Sequence, residues 1–153
     1  MLKISLDRRE AEALLGRLAT IGKDLDPVKQ AARFVRAQIA QGFVDQRDPY
    51  GNSWKPLADA TLKLRMRAGN SSTQILDDSG EMRRSLRVRD DTVTIRTPAE
   101  FHQTGGPMIM FGKHRAWLPQ RRIMPINDQG QADLPEAWAD VIAGYFTDWI
   151  GRQ

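Results

Sequence analysis

Cysteine is absent from the chain. Its absence excludes disulfides, thiolate catalysis and cysteine-bound metals, and fits a reducing compartment. Long apolar runs are lacking too: nothing approaches the ~20 residues a membrane helix needs, and a mean hydropathy of −0.51 leaves no room for such a span. Residues 1–7 hold no apolar stretch ending in a small-residue cleavage site, so no secretory signal is expected and the protein should stay where it is made. Internal repeats and low-complexity segments are missing as well. The charge excess is small, +4 at neutral pH. That permits contact with nucleic acid or an acidic protein surface but is modest for a dedicated DNA binder.

What is present is enough for one core. A length of 153 residues with 41% hydrophobic content matches a single ordinary domain spanning 1–153. Asp7 and Glu10 make a capping-box pattern, and Ala11, Leu14, Leu15, Leu18 and Ile21 follow at helical spacing until Gly22. Asp26-Pro27 restarts the pattern with a cap and a first-turn proline, and Val28, Ala32, Val35, Ile39 and Phe43 form one stripe. The short link between these helices favours an antiparallel pair. Asp48-Pro49-Tyr50-Gly51 reads as a turn that ends the second helix, after which Trp54 folds back onto the core. Asp45, Asp48 and Asn52 lack the ligand spacing of a calcium loop. Asp59 is placed to cap a short third helix through Ala68, with Leu62 and Met66 together and Gly69 as terminator.

Asp78 and Glu81 suit a second capping box, with Met82 and Leu86 on one face. Beyond Leu86 the period changes to two. Leu86, Val88, Val93 and Ile95 alternate with Arg87, Arg89, Thr94 and Arg96 around Asp90-Asp91. A two-residue loop there pairs Val88 with Val93 and Arg87 with Thr94, burying the valines and exposing the arginines. A slip of one residue would drive arginines into the core. Pro98 breaks the strand, and residues 99–103 can form a helical turn before Gly105-Gly106. Met108, Ile109, Met110 and Phe111 make an apolar run readable as a strand or an exposed contact loop. Residues 116–126, with Pro119 and Pro125, read as an extended edge segment. From Leu134-Pro135 on, Trp138, Val141, Ile142, Tyr145, Phe146, Trp149 and Ile150 give a last helix that is apolar over more than half its circumference and needs cover on two sides.

Four motifs occur in fixed order: Trp54-Lys-Pro-Leu57; Leu76-x-x-Ser79-Gly80-x-Met82-x-x-Ser85-Leu86; His102-Gln103-x-Gly105-Gly106; and Leu118-Pro119-x-Arg121-x-Ile123-Met124. In that order and spacing the chain resembles the phage virion morphogenesis, or tail completion, family of Mu-like phages. Trp54, Ser79, Gly80, Ser85, His102, Gln103, Gly105, Gly106, Pro119 and Arg121 are the positions that carry the likeness. The resemblance implies a structural protein of the neck or tail that completes the tail or joins it to the head. Its partners would be other head, neck or tail proteins and copies of itself in a ring. It would act in the host cytoplasm during assembly and end in the virion.

Chemistry is weakly signalled. Glu100, His102 and His114, with Asp77 or Asp78, are the candidates for acid–base work or zinc, but the histidines lack a helical ligand spacing and no motif frames the carboxylates. His102 reads more simply as a hydrogen-bonding residue fixing the glycine corner. Gly105-Gly106 is not followed by the helix start and lysine of a phosphate loop. Arg83, Arg84, Arg87, Arg89, Arg96, Arg121 and Arg122 offer a phosphate-facing surface, yet no aromatic residues interleave for base stacking. The expectation is therefore a non-enzyme without cofactor or metal, of α+β class, with antiparallel helices on one face of a small antiparallel sheet built on the hairpin 86–97. A basic nucleic-acid-binding module is the alternative. Assembly contacts are expected from Met108, Ile109, Met110 and Phe111 and from Trp138, Tyr145 and Trp149, exposed apolar patches being the usual mark of partner sites.

Overall fold

The structure is a computed structural model that describes residues 1–5, 26–110 and 114–152. The helix expected over residues 7–22, Phe111 and the side chain of Met110 lie outside that set. The described elements run β1 (Leu2–Ser5), α1 (Pro27–Asp45), α2 (Asp59–Arg67), α3 (Glu81–Arg84), β2 (Arg87–Arg89), β3 (Thr92–Ile95), α4 (Ala99–Thr104), β4 (Gly106–Met110), β5 (His114–Leu118) and α5 (Glu136–Gly151). They form the expected α+β arrangement, with two small antiparallel sheets in place of one.

The hairpin takes the register its alternation predicts. Arg87 faces Thr94, Val88 faces Val93 and Arg89 faces Thr92, while Asp90 opens the turn with a left-handed φ of 52°. Val93 is fully buried and Val88 packs on the core from its edge, whereas Arg87 and Arg89 are exposed. β1 joins the free side of β3, pairing Leu2 with Ile95 and Ile4 with Val93, so β3 is the central strand. This third strand was not expected, and it spares β3 an open edge.

α1 supplies the other half of the core. Asp26 caps it by accepting a hydrogen bond from the Val28 amide at 3.0 Å, and Pro27 occupies the first turn. The stripe of Val28, Ala32, Val35, Ile39 and Phe43 is buried throughout, and from Ala32 on it shares one core with Leu86 and with Val93 and Ile95 of β3. Burying side chains of this size contributes about 1.5–3 kcal/mol each. The helix stops at Gln46, which adopts a left-handed cap three residues before Pro49. Gln46 also turns its amide onto both main-chain groups of Ile75, tying the helix end to a distant loop. Asp48 then holds the turn by accepting from the amides of Tyr50 and Asn52.

Three local expectations need correction. α2 is capped by Ala58 with no side-chain bond, Asp59 lying inside the first turn, and Met66 is 69% exposed. α3 is capped by Gly80 at φ 74°, not by Asp78. Asn70 at 2.6 Å and Arg65 at 3.2 Å both engage Oδ1 of Asp78, and α3 carries no side-chain cap bond among the described residues. Finally, the segment expected to run extended over 116–126 is a strand only to Leu118. It pairs with β4 as a separate hairpin, Pro107 opposite Trp117 and Ile109 opposite Arg115, before Pro119 ends the ladder.

α5 packs along α1. Phe34 receives the rings of Trp138 and Tyr145 edge-on, with centroids 6.2 and 6.1 Å away. None of its residues is fully buried, and Val141 and Ile150 remain more than 40% exposed.

Candidate assembly site

Three of the motifs converge on one locked node. Gln103, on α4, is buried, and its amide makes three main-chain bonds: its oxygen accepts from the amides of Ile123 (2.8 Å) and Met124 (2.9 Å), and its nitrogen donates to the Met124 carbonyl (3.0 Å). The Arg121 amide donates to the His102 carbonyl at 2.7 Å. The Arg121 guanidinium, itself buried, donates to the carbonyls of Lys55 (2.9 Å) and Pro56 (3.0 Å). The Trp54 indole donates to the Arg122 carbonyl at 2.8 Å and packs edge-on against Phe43. Segments 54–57, 102–105 and 119–124 lie outside the β4–β5 ladder, which ends at Gly106 and Leu118, so side chains satisfy backbone groups that a sheet would otherwise pair.

Gly105 is obligatory in this geometry. Its φ of 65° and ψ of −166° suit glycine alone, and a Cβ there would stand 2.6 Å from the Gln120 amide nitrogen. Gly106 is also left-handed, at φ 110°, but opens onto free space. The Leu76 motif is held more locally. Ser85 donates to the Met82 carbonyl and accepts from the Arg96 amide, joining α3 to the end of β3, and Ser79 accepts weakly from the Glu81 amide.

His102 does not fix the corner with its ring, as expected from sequence; its carbonyl and the neighbouring Gln103 amide do so. The imidazole Nδ1 is buried without a hydrogen-bond partner. Burial, followed by the nearby Arg121 charge, holds the ring neutral with its pKa lowered to about 4. Glu100 is drawn instead to the Met1 amino group and the Thr97 hydroxyl, which keep its carboxyl below the usual range. Among the described residues no group of three or more His, Asp or Glu side chains is placed to hold a metal ion.

Beside the node lies a groove of about 1270 Å³, walled by α2, α3, α4 and the β4–β5 hairpin. Leu64, Phe101 and Trp117 line it and are 55, 49 and 75% exposed. Arg84, Arg87 and Arg96 stand on its walls, and among the described residues no salt bridge engages them. Sequence reasoning missed Trp117, although a strand that turns Arg115 outward must turn Trp117 the same way. Of the expected contact residues, Ile109 is 69% exposed on the same hairpin, Met108 is half-buried, and Trp138 and Tyr145 face Phe34. The arginine surface does not survive whole: Arg121 is buried, Arg83 leans toward Asp77, and Arg122 lies over the Tyr50 ring and near Asp128.

Among the described residues no helix is long and apolar enough to cross a membrane. Neither the curated proteins nor the solved structures yield a match. The model of the phage virion morphogenesis family matches residues 6–142, which takes in the whole node, the groove and the first half of α5. By that match the chain belongs to the phage virion morphogenesis family, whose role is in building the virion.

Proposed function

We propose that the chain is a structural component of the phage neck or tail, one that completes the tail or joins it to the head by surface complementarity, with copies arranged in a ring. The observation that carries this reading is the family match over residues 6–142. The geometry agrees with it. Trp54, Gln103 and Arg121 spend their polar groups on main-chain partners inside the fold, and the surface left over is apolar and arginine-rich, which is the material of a protein contact. On this reading Met108, Ile109 and Phe111, with Trp117, belong to the contact surface, and the protein works without turning over a substrate. Assembly takes place in the host cytoplasm, and the chain remains in the finished particle.

Deleting the gene from a phage that carries it tests the proposal. Electron microscopy should show full heads and unjoined or unfinished tails, and supplying the protein from a plasmid should restore joined particles that contain it. Infectious, complete particles formed without the chain would refute the role.

A further inference from the structure

We infer that helix α5 of one copy docks in the arginine-walled groove of the next, so that copies join head to tail. The inference rests on the proposed role as a repeated virion component and names the partner of its contact surface.

The groove calls for an acidic, partly apolar occupant. Among the described residues five arginines line it against two acidic residues, and one of the two, Asp78, is already held by Asn70 and Arg65. At its base Arg121 keeps its charge in a buried position with carbonyl partners only, so its field is uncompensated by any carboxylate among the described residues. Beside it the buried His102 Nδ1 has no partner. Leu64, Phe101 and Trp117 add apolar surface that water covers poorly.

α5 has the matching chemistry. It carries Glu136, Asp140 and Asp148 and no basic residue over Glu136–Gly151, in a chain whose net charge is +4. Asp140, Gly144 and Asp148 follow at i, i+4 and i+8 and are exposed on the flank turned away from Phe34, and Val141, between Trp138 and Tyr145 on the helix, borders that flank at 41% exposure. Sixteen residues of helix give a rod of about 24 Å that offers this flank along its length.

The contact must be between copies. α5 lies against α1, and among the described residues none beyond Arg121 lines the groove of its own chain. A contact between two different surfaces is heterologous, and such contacts close into rings or run on as filaments.

Cross-linking tests this directly, because a cysteine-free chain accepts single cysteines without background. Phe101→Cys in the groove and Val141→Cys on α5 would be made in the full chain, and the two variants mixed at high concentration and also co-assembled into particles. A short bismaleimide should link 101 to 141 between chains, and a double variant should give a ladder of linked copies. Replacing Arg87 and Arg96 by Glu should cut the 101–141 link about tenfold or more, the scale of a desolvated ion pair. Adding Asp140→Arg and Asp148→Arg should restore it. Predominant 101–101 or 141–141 links, an intramolecular 101–141 link, or no link in particles that contain the chain would each overturn the docking. Salt-sensitive capture of duplex DNA by the groove arginines without a 101–141 link would also overturn it. Absence of the chain from particles would instead refute the virion role itself, whatever the cross-linker gives.

Discussion

Replacing Gln103 by alanine should be among the most damaging single changes available. The substitution removes one amide and strands two backbone groups, the amides of Ile123 and Met124, while the Met124 carbonyl keeps the Ile126 amide as its donor at 2.9 Å. Both lie in a region where Gln103, Ile123 and Met124 are 6, 2 and 0% exposed, so water does not replace the lost partners at the surface. A buried backbone group left without a partner costs about 1–3 kcal/mol. Two of them sum to about 2–6 kcal/mol, and relaxation and a water entering the vacated amide volume offset part of it. The expected loss is about 2–4 kcal/mol, a large share of a typical domain's stability. Gln120→Ala is the control. It removes one bond to the Gln103 carbonyl from an exposed side chain and should cost about 1 kcal/mol or less. Urea unfolding followed by tryptophan fluorescence measures both, with the midpoint shifting at constant slope. If Gln103→Ala costs no more than Gln120→Ala, the side-chain clamp does not hold segments 102–106 and 118–124 together and the reasoning fails.

Two further outcomes follow from the same node. Gly105→Ala should lower the melting temperature far more than Gly106→Ala. Both pay a backbone cost of about 1–3 kcal/mol, but only at Gly105 does the new Cβ meet main-chain atoms, and equal shifts would refute the steric account. The neutral His102 ring makes stability depend on pH. Its folded pKa of about 4 lies below the ordinary 6.5, so the unfolded chain binds the extra proton, and the ring's contribution is complete above pH 6.5 and is lost as pH falls toward 4. With screening at a partly exposed ring, the loss is about 1–2 kcal/mol. Urea midpoints of wild type and His102→Gln should diverge across that window, and parallel curves would refute the assignment.

Legibility in the sequence followed the physics of each element. α1 and the β2–β3 hairpin were readable because an apolar period and an opposed polar period coincide, so a register error would bury arginine. β1 was not, since four residues carry little periodicity and their partner strand lies about ninety residues away. The α3 cap was misread because Asn70 and Arg65 reach Asp78 first, a competition that no local window contains. The motif positions Trp54, Gln103 and Arg121 were picked out by resemblance, but their mutual bonding was not legible: a glutamine bound for the core looks the same in sequence as one bound for solvent. The groove escaped notice altogether, because its walls come from four separate segments.

The node and the groove share a wall, and that constrains how assembly can be dissected. Arg121 belongs to both: its guanidinium ties the Trp54 motif to the Pro119 segment and also sets the positive field at the groove base. Removing it would leave the Lys55 and Pro56 carbonyls unpaired and shift the wall at once, so a lost particle would say nothing about which function failed. Trp117, Phe101 and Leu64 differ in kind. They are half or more exposed, hold no main-chain group in place, and in the free protein contribute little that water does not already take back. Their truncation should leave unfolding unchanged while weakening any contact they make. The rigid node serves that contact indirectly, because a wall held in one conformation loses less freedom when a partner docks. Separating the two effects therefore requires substitutions on the groove surface, with the clamp left intact.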